Sequence, residues 1–157
     1  KVGIPCVALD EKLFDSKLGF DQEIMKVIDN YQAKVIILAG YMRILSADFI
    51  SKYSGKILNI HPSLLPKFPG LNTHQRAIDA SEKKHGASVH FVTEEVDGGP
   101  VIAQQSVNID STDNPQTLAK KVLEKEHILY PKVIRWYTQG RLKLLNNKTV
   151  ILDRQSI

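Results

Sequence analysis

Asn59 and His61 stand two positions apart at the end of an apolar run in "KILNIHPSLLPKFPG" (residues 56–70), and Asp97 precedes the glycine pair of "TEEVDGG" (93–99). Positions i and i+2 of a strand share a face, so an amide and an imidazole emerge side by side where strand gives way to loop. An amide N–H can donate to an oxygen that gains negative charge, an imidazole can do the same or move a proton, and a carboxylate can hold that imidazole charged and correctly turned. Together they would stabilise a tetrahedral oxyanion. The residues alone do not bring Asp97 to His61: a histidine before Pro62 also suits a strand cap, and an aspartate before Gly98-Gly99 suits a turn.

Other chemistries find less support. No serine sits in a nucleophile elbow of the G-x-S-x-G kind, and Cys6 has no neighbouring base. His74, His85 and His90 are never at the i, i+4 spacing of a helical zinc pair, so hydrogen-bonded or surface histidines are expected and no metal is called for. There is no G-x-G-x-x-G or Walker pattern to cradle a dinucleotide or ATP.

The elements that must position these groups follow from periodicity. "KVGIPCVALD" reads as a strand at the start. Phe20, Ile24, Val27, Ile28 and Tyr31 recur at helical spacing, and the β-branched run "KVIILAG" predicts a buried strand. Ser46 is placed to cap a short helix carrying Phe49, Ile50 and Tyr53, which Gly55 closes before "KILNI". Strand, helix, strand predicts a parallel α/β sheet. Next come a helix over "THQRAIDASEKKHG" stopped near Gly86 and two strands, "ASVHFV" and "PVIAQQSVNI", joined through "TEEVDGG". Pro115, with Asp or Asn before it, opens a long helix that carries Leu118, Val122, Leu129, Val133 and Tyr137 on one stripe, bends at Pro131 and ends at Gly140. "LKLLNNKTVIL" predicts a closing hairpin around Asn146-Asn147.

Three ordered motifs, "LAGYMRILS", "LNIHPSLLPKFPGLNTH" and "SVHFVTEEVDGGPVI", resemble those of the folate-dependent glycinamide ribonucleotide formyltransferases of purine synthesis, and the likeness runs through "EHILYP" to the terminal hairpin. The resemblance implies a Rossmann-like formyltransferase fold: one α/β domain over residues 1–157, a central, mostly parallel twisted sheet flanked by helices, and a C-terminal β-hairpin. It implies formyl transfer from 10-formyltetrahydrofolate, with Asn59, His61 and Asp97 at the catalytic positions. Met42, Arg43, Ile44 and Leu45 match the folate-binding segment, and Val92, Glu94, Glu95, Val96 and Asp97 would complete that pocket. Asn59, Pro62, Gly70 and Glu126 match positions on the ribonucleotide side, although Glu126 also suits an ion pair with a lysine of its own helix. The family's N-terminal strand and glycine-rich phosphate loop have no counterpart in this sequence, so the anchor for the substrate phosphate is expected to be missing.

The rivals are a 10-formyltetrahydrofolate hydrolase, a formyltransferase for methionyl-tRNA or a sugar nucleotide, or a folate-binding module without catalysis. The loop after His61 resembles the ribonucleotide enzymes more than the hydrolases, and a pure binder has no need of an oxyanion device. Composition sets the remaining expectations. Lys and Arg number 21 against 17 Asp and Glu, a net +4. That is a mild excess with scattered basic residues, so small-molecule partners are expected rather than nucleic acid, and pairs such as Lys83-Lys84 and Lys120-Lys121 read as solvated helix faces. No apolar run nears the roughly 18 residues of a membrane span. The single Cys6 suits a cytoplasmic location, and the chain is expected to be a monomer or homodimer.

Overall fold

A computed structural model of the chain describes residues 3–146 and 148–151. A short 3-10 turn (Glu11–Leu13) leads to α1 (Lys17–Asn30), β1 (Ile36–Leu38), α2 (Ala47–Lys52), β2 (Ile57–His61), α3 (Thr73–Asp79), β3 (Lys84–Phe91), β4 (Val101–Asn108), α4 (Pro115–Thr138), β5 (Leu142–Leu145) and β6 (Lys148–Ile151). The sheet order is β1-β2-β3-β4, with β5-β6 a separate antiparallel hairpin. Among the described residues no helix is long and apolar enough to cross a membrane.

The helix starts are set by capping. Ser16 accepts from the Gly19 N–H, Ser46 from the Phe49 N–H, and Asn114 from the N–H groups of Gln116 and Thr117 ahead of Pro115. α4 runs through Pro131 as one helix and lays Leu118, Val122, Leu129, Tyr130, Val133 and Trp136 on the sheet. Strand alternation then divides the core. Leu58 of β2 and Ala87, Val89 and Phe91 of β3 pack against α4, whereas Ile57 joins Leu45, Phe49, Ile50 and Tyr53 under α1 and α2 on the opposite face.

The α/β class holds, but the sheet among the described residues is mixed. β1 pairs with β2 in parallel; β2 with β3 and β3 with β4 are antiparallel. The link 92–100 is too short for a crossover, so it can only turn the chain back on itself. Among the described residues β1 is the outermost strand, with Ile37 37% exposed. Residues 3–10 form no strand: nothing in the sheet pairs with them, Pro5 lacks a donor, and unpaired backbone groups are left to solvent. Lys1 and Val2 of that expected strand lie outside the described residues.

Two further expectations change. The helix predicted over 73–86 ends at Asp79, because Ser81 takes a left-handed φ of 53° and Lys84, His85 and Gly86 enter β3 opposite Asn108, Val107 and Ser106. Gly86 serves that pairing, since a Cβ there would lie 2.0 Å from the Gln105 carbonyl oxygen. Lys83 and Lys84 are therefore on no helix face, and Lys121 is bonded to Asp110 and Asp113, each at 2.6 Å. The closing hairpin forms, turning at Asn146 (φ 49°); Asn147 and residues 152–157 lie outside the described residues.

Leu118 is fully buried on α4 while Leu123 is 47% exposed. Urea unfolding of Leu118→Ala is expected to show a loss of about 2–5 kcal/mol, and of Leu123→Ala within about 0.5 kcal/mol. Equal losses would remove the one-sided packing of this helix.

Candidate active site

The face of the sheet turned away from α4 carries the polar groups. In β2 the residues on that face are Ile57, Asn59 and His61, and antiparallel pairing sets Asn59 opposite His90 and His61 opposite Ser88. Past Phe91 the chain turns through 92–100. Gly99 is required there because a Cβ would fall 1.8 Å from the Phe91 carbonyl oxygen. Asp97 takes a left-handed φ of 51°, a conformation aspartate tolerates better than most residues, and its carboxylate turns back over the end of β2.

Sequence spacing left open whether Asp97 meets His61. In the structure Asp97 Oδ2 lies 3.3 Å from His61 Nδ1 and accepts from the Gly70 N–H at 2.8 Å. His61 Nε2 faces the Phe68 carbonyl oxygen at 2.9 Å. Both ring nitrogens of His61 thus face oxygen atoms. Burial pushes the Asp97 carboxyl up, but the His90 ring, the Gly70 N–H and the charge on His61 outweigh it and hold Asp97 below its ordinary range.

His90 belongs to this group, although its sequence position drew attention only as a possible metal ligand. Its Nδ1–H donates to the Phe91 carbonyl at 2.8 Å, and its Nε2 lies 3.2 Å from Asn59 Nδ2 and 3.5 Å from Asp97 Oδ1. The amide plane of Asn59 is thereby fixed with its second N–H free. The signal for His90 is the alternation "SVHFV": two polar residues, Ser88 and His90, on one face of a strand whose other face is apolar.

The loop from 62 to 70 is held from below. Ser88 Oγ donates to the Ser63 carbonyl at 2.6 Å and accepts from the Leu65 N–H at 3.0 Å, and Gln104 Nε2 donates to the Leu65 carbonyl at 2.9 Å. His85 and His74 meet at 3.2 Å (Nε2 to Nδ1) behind the same loop. The three histidines set aside as a zinc site are thus hydrogen-bonded, and His85 and His90 are buried.

These groups open on a cavity of about 540 Å³ lined by residues 40–45, 59–62, 70–74 and 92–97 with Leu38, Ile50 and His90. It gathers Met42, Arg43, Ile44, Leu45, Asn59, His61, Pro62, Gly70, Val92, Glu94, Glu95, Val96 and Asp97, the whole predicted set except Glu126. The guanidinium of Arg43 pairs with Glu11 and covers the Phe20 ring at 4.4 Å. Glu126 sits half-buried on α4, outside the lining; burial pushes its carboxyl up, and no ion pair holds it among the described residues.

Residues 1–134 match the family model described as formyl transferase. The chain belongs to the formyl transferase family. The phosphoribosylglycinamide formyltransferase of Escherichia coli (strain K12) is 48% identical over 147 residues, covering 94% of this chain and 69% of that protein. Among solved formyl transferases, the phosphoribosylglycinamide formyltransferase of Coxiella burnetii superposes with a TM-score of 0.86 at 48% identity, over 90% of this chain and 66% of that one. A formyltetrahydrofolate deformylase from Pseudomonas syringae pv. tomato superposes with a TM-score of 0.83 at 32% identity, over 92% of this chain and 48% of that one.

Burial, then the neighbouring charges of His74 and His61, bring His85 from 6.5 down to about 4, against a smaller opposing effect of the Pro62 carbonyl. Between those values acid protonates the unfolded chain first, so stability is present above 6.5 and is lost as pH falls towards 4, by on the order of 3 kcal/mol from His85 alone. His74, lowered mainly by burial, adds in the same direction, while Asp97 titrates below 3.8, beneath this window. Urea titrations at pH 7 and pH 4 are expected to show a smaller loss for His85→Gln than for the parent chain. Equal losses would exclude His85 as the source.

Proposed function

We propose that this chain is the formyl-transfer domain, residues 1–157, of an enzyme that moves a formyl group from 10-formyltetrahydrofolate to the glycine amine of glycinamide ribonucleotide in purine synthesis. The observation that carries the reading is His61 held between the Asp97 carboxylate and the Phe68 carbonyl beside the free N–H of Asn59.

The acceptor amine adds to the formyl carbon, and negative charge develops on the formyl oxygen. The free Asn59 N–H donates to that oxygen, and the Nε2–H of His61 exchanges the Phe68 carbonyl for it. Preorganised donors of this kind strengthen only as charge appears, which lowers the barrier rather than the ground state. Asp97 keeps His61 cationic and carries the proton from the amine nitrogen towards the departing folate nitrogen; the carbon–nitrogen bond to folate then breaks, giving a formamide and tetrahydrofolate. The cavity has the size and mixed lining expected for a flat heteroaromatic donor, with main-chain groups of 42–45 reading its edge and apolar side chains covering its ring. Pro62 and Gly70 wall the acceptor side, and Glu126 would reach the ribonucleotide from α4. Both partners are small molecules, and a cytoplasmic location suits the exposed thiol of Cys6.

The test is the folate spectrum, followed with and without glycinamide ribonucleotide. Deformylation that requires the acceptor is expected; deformylation without it would favour the hydrolytic reading that the deformylase likeness raises. Asp97→Asn is expected to lower turnover roughly 100-fold with donor affinity changed only a few-fold. Turnover near the parent value would take Asp97 out of the mechanism.

A further inference from the structure

The segment 39–45, which walls one side of the cavity, leaves the sheet at the end of β1 and rejoins regular structure at α2. Both of its ends are tied by buried side chains. At the far end the Ser46 N–H donates to the carboxylate of Asp21, which is fully buried, at 2.8 Å. At the near end the hydroxyl of Tyr130, a buried residue of α4, reaches the Leu38 carbonyl at 2.7 Å and the Leu58 carbonyl at 2.9 Å.

Those two carbonyls are not equivalent neighbours. Leu38 is the last residue of β1 and pairs with Asn59, whereas Leu58 directly precedes Asn59 on β2. One hydroxyl therefore stands at the fork where the strand bearing Asn59 and His61 and the segment walling the cavity part company. A phenol has a single proton to donate, so that proton is shared by the two carbonyls, and the sharing holds only while they keep their present spacing. If the fork opened, one contact would lengthen and be lost.

Tyr137 on the same helix supplies an internal comparison. Its hydroxyl donates to the Gly55 carbonyl at 2.9 Å, and neither residue lines the cavity. Two tyrosines thus tie α4 to main-chain carbonyls by similar bonds, but only one does so at the site.

We propose that Tyr130 is a positioning residue for formyl transfer: its hydroxyl sets the spacing between the 39–45 segment and Asn59, and through it the placement of the formyl carbon against the oxyanion donors. This rests on the reading of the cavity as the formyl-donor site. Misplacement of a reacting atom by a fraction of an ångström to an ångström weakens transition-state contacts more than binding, so the effect falls on kcat more than on KM.

The experiment compares the parent chain, Tyr130→Phe and Tyr137→Phe, each well below its melting temperature, by transfer kinetics and by amide hydrogen exchange. Tyr130→Phe is expected to lose about tenfold in kcat with donor KM raised no more than about threefold, and to exchange faster in 38–45 and 57–61 while β4 keeps parental rates. Tyr137→Phe is expected to keep the parental kcat. The proposal is overturned if Tyr130→Phe keeps its kcat, if Tyr137→Phe loses as much, or if exchange in 38–45 is unchanged. Should the parent chain fail to transfer formyl groups at all, the functional reading falls, and the exchange comparison alone decides whether the hydroxyl holds the fork.

Discussion

A carboxylate and an imidazole from distant parts of the chain are held in contact at the end of a sheet, and much of the structure follows from that requirement. Neither group is at home away from water. Burial disfavours the Asp97 carboxylate, and the contacts around it reverse that preference. Asp97 has a main-chain N–H from Gly70 on the oxygen that faces His61, and His61 has a carbonyl on its other nitrogen. Each of those backbone groups comes from the loop 62–70, so the ion pair is only as well placed as that loop. This explains why a fully buried serine, Ser88, spends its hydroxyl proton on Ser63 and its lone pairs on Leu65 and Gln104 rather than on anything in the cavity.

The two faces of the sheet divide the labour. α4 closes one face with an apolar stripe, which fixes the strands by burial, and its tyrosine hydroxyls are met by main-chain carbonyls. Because the period of a strand is two, the residues between those core positions, Asn59, His61, Ser88 and His90, are presented together on the other face. Each then orders the next: the Phe91 carbonyl fixes His90, His90 fixes the amide of Asn59, and the second N–H of that amide is left for the ligand. A stable face thus positions a reactive one.

The same period made Asn59 and His61 legible as a pair in the sequence, and the capping residues Ser46 and Asn114 were legible for an equally local reason. What the sequence concealed depends on contacts between distant segments. "THQRAIDASEKKHG" has helical composition throughout, yet pairing with β4 claims its last residues for β3. The Phe68 carbonyl and the Gly70 N–H are backbone groups, identical in every residue type, so no spacing could announce them. Asp97 looked like a turn residue because it is one; its left-handed backbone serves both the turn and the approach to His61.

The cavity separates what binds from what reacts. Its rim holds exposed apolar side chains, Met42 at 75%, Leu71 at 66%, Ile44 at 58% and Val96 at 51% exposure, while the side chains of His61 and Asp97 behind them are only 7% and 12% exposed. Apolar surface left in water is surface that a ligand ring can cover, at about 25 cal/mol per Å² removed from solvent, and that gain is indifferent to the charge on the ligand. The oxyanion donors contribute in the opposite way: the His61 Nε2–H already has the Phe68 carbonyl in the ground state and Asn59 keeps only its second N–H for the ligand, so they add little to binding and act when a stronger acceptor arises. Had the rim been polar and the centre open to solvent, water would have competed for both contacts, and the same residues at the same spacing would have formed a hydrated surface patch.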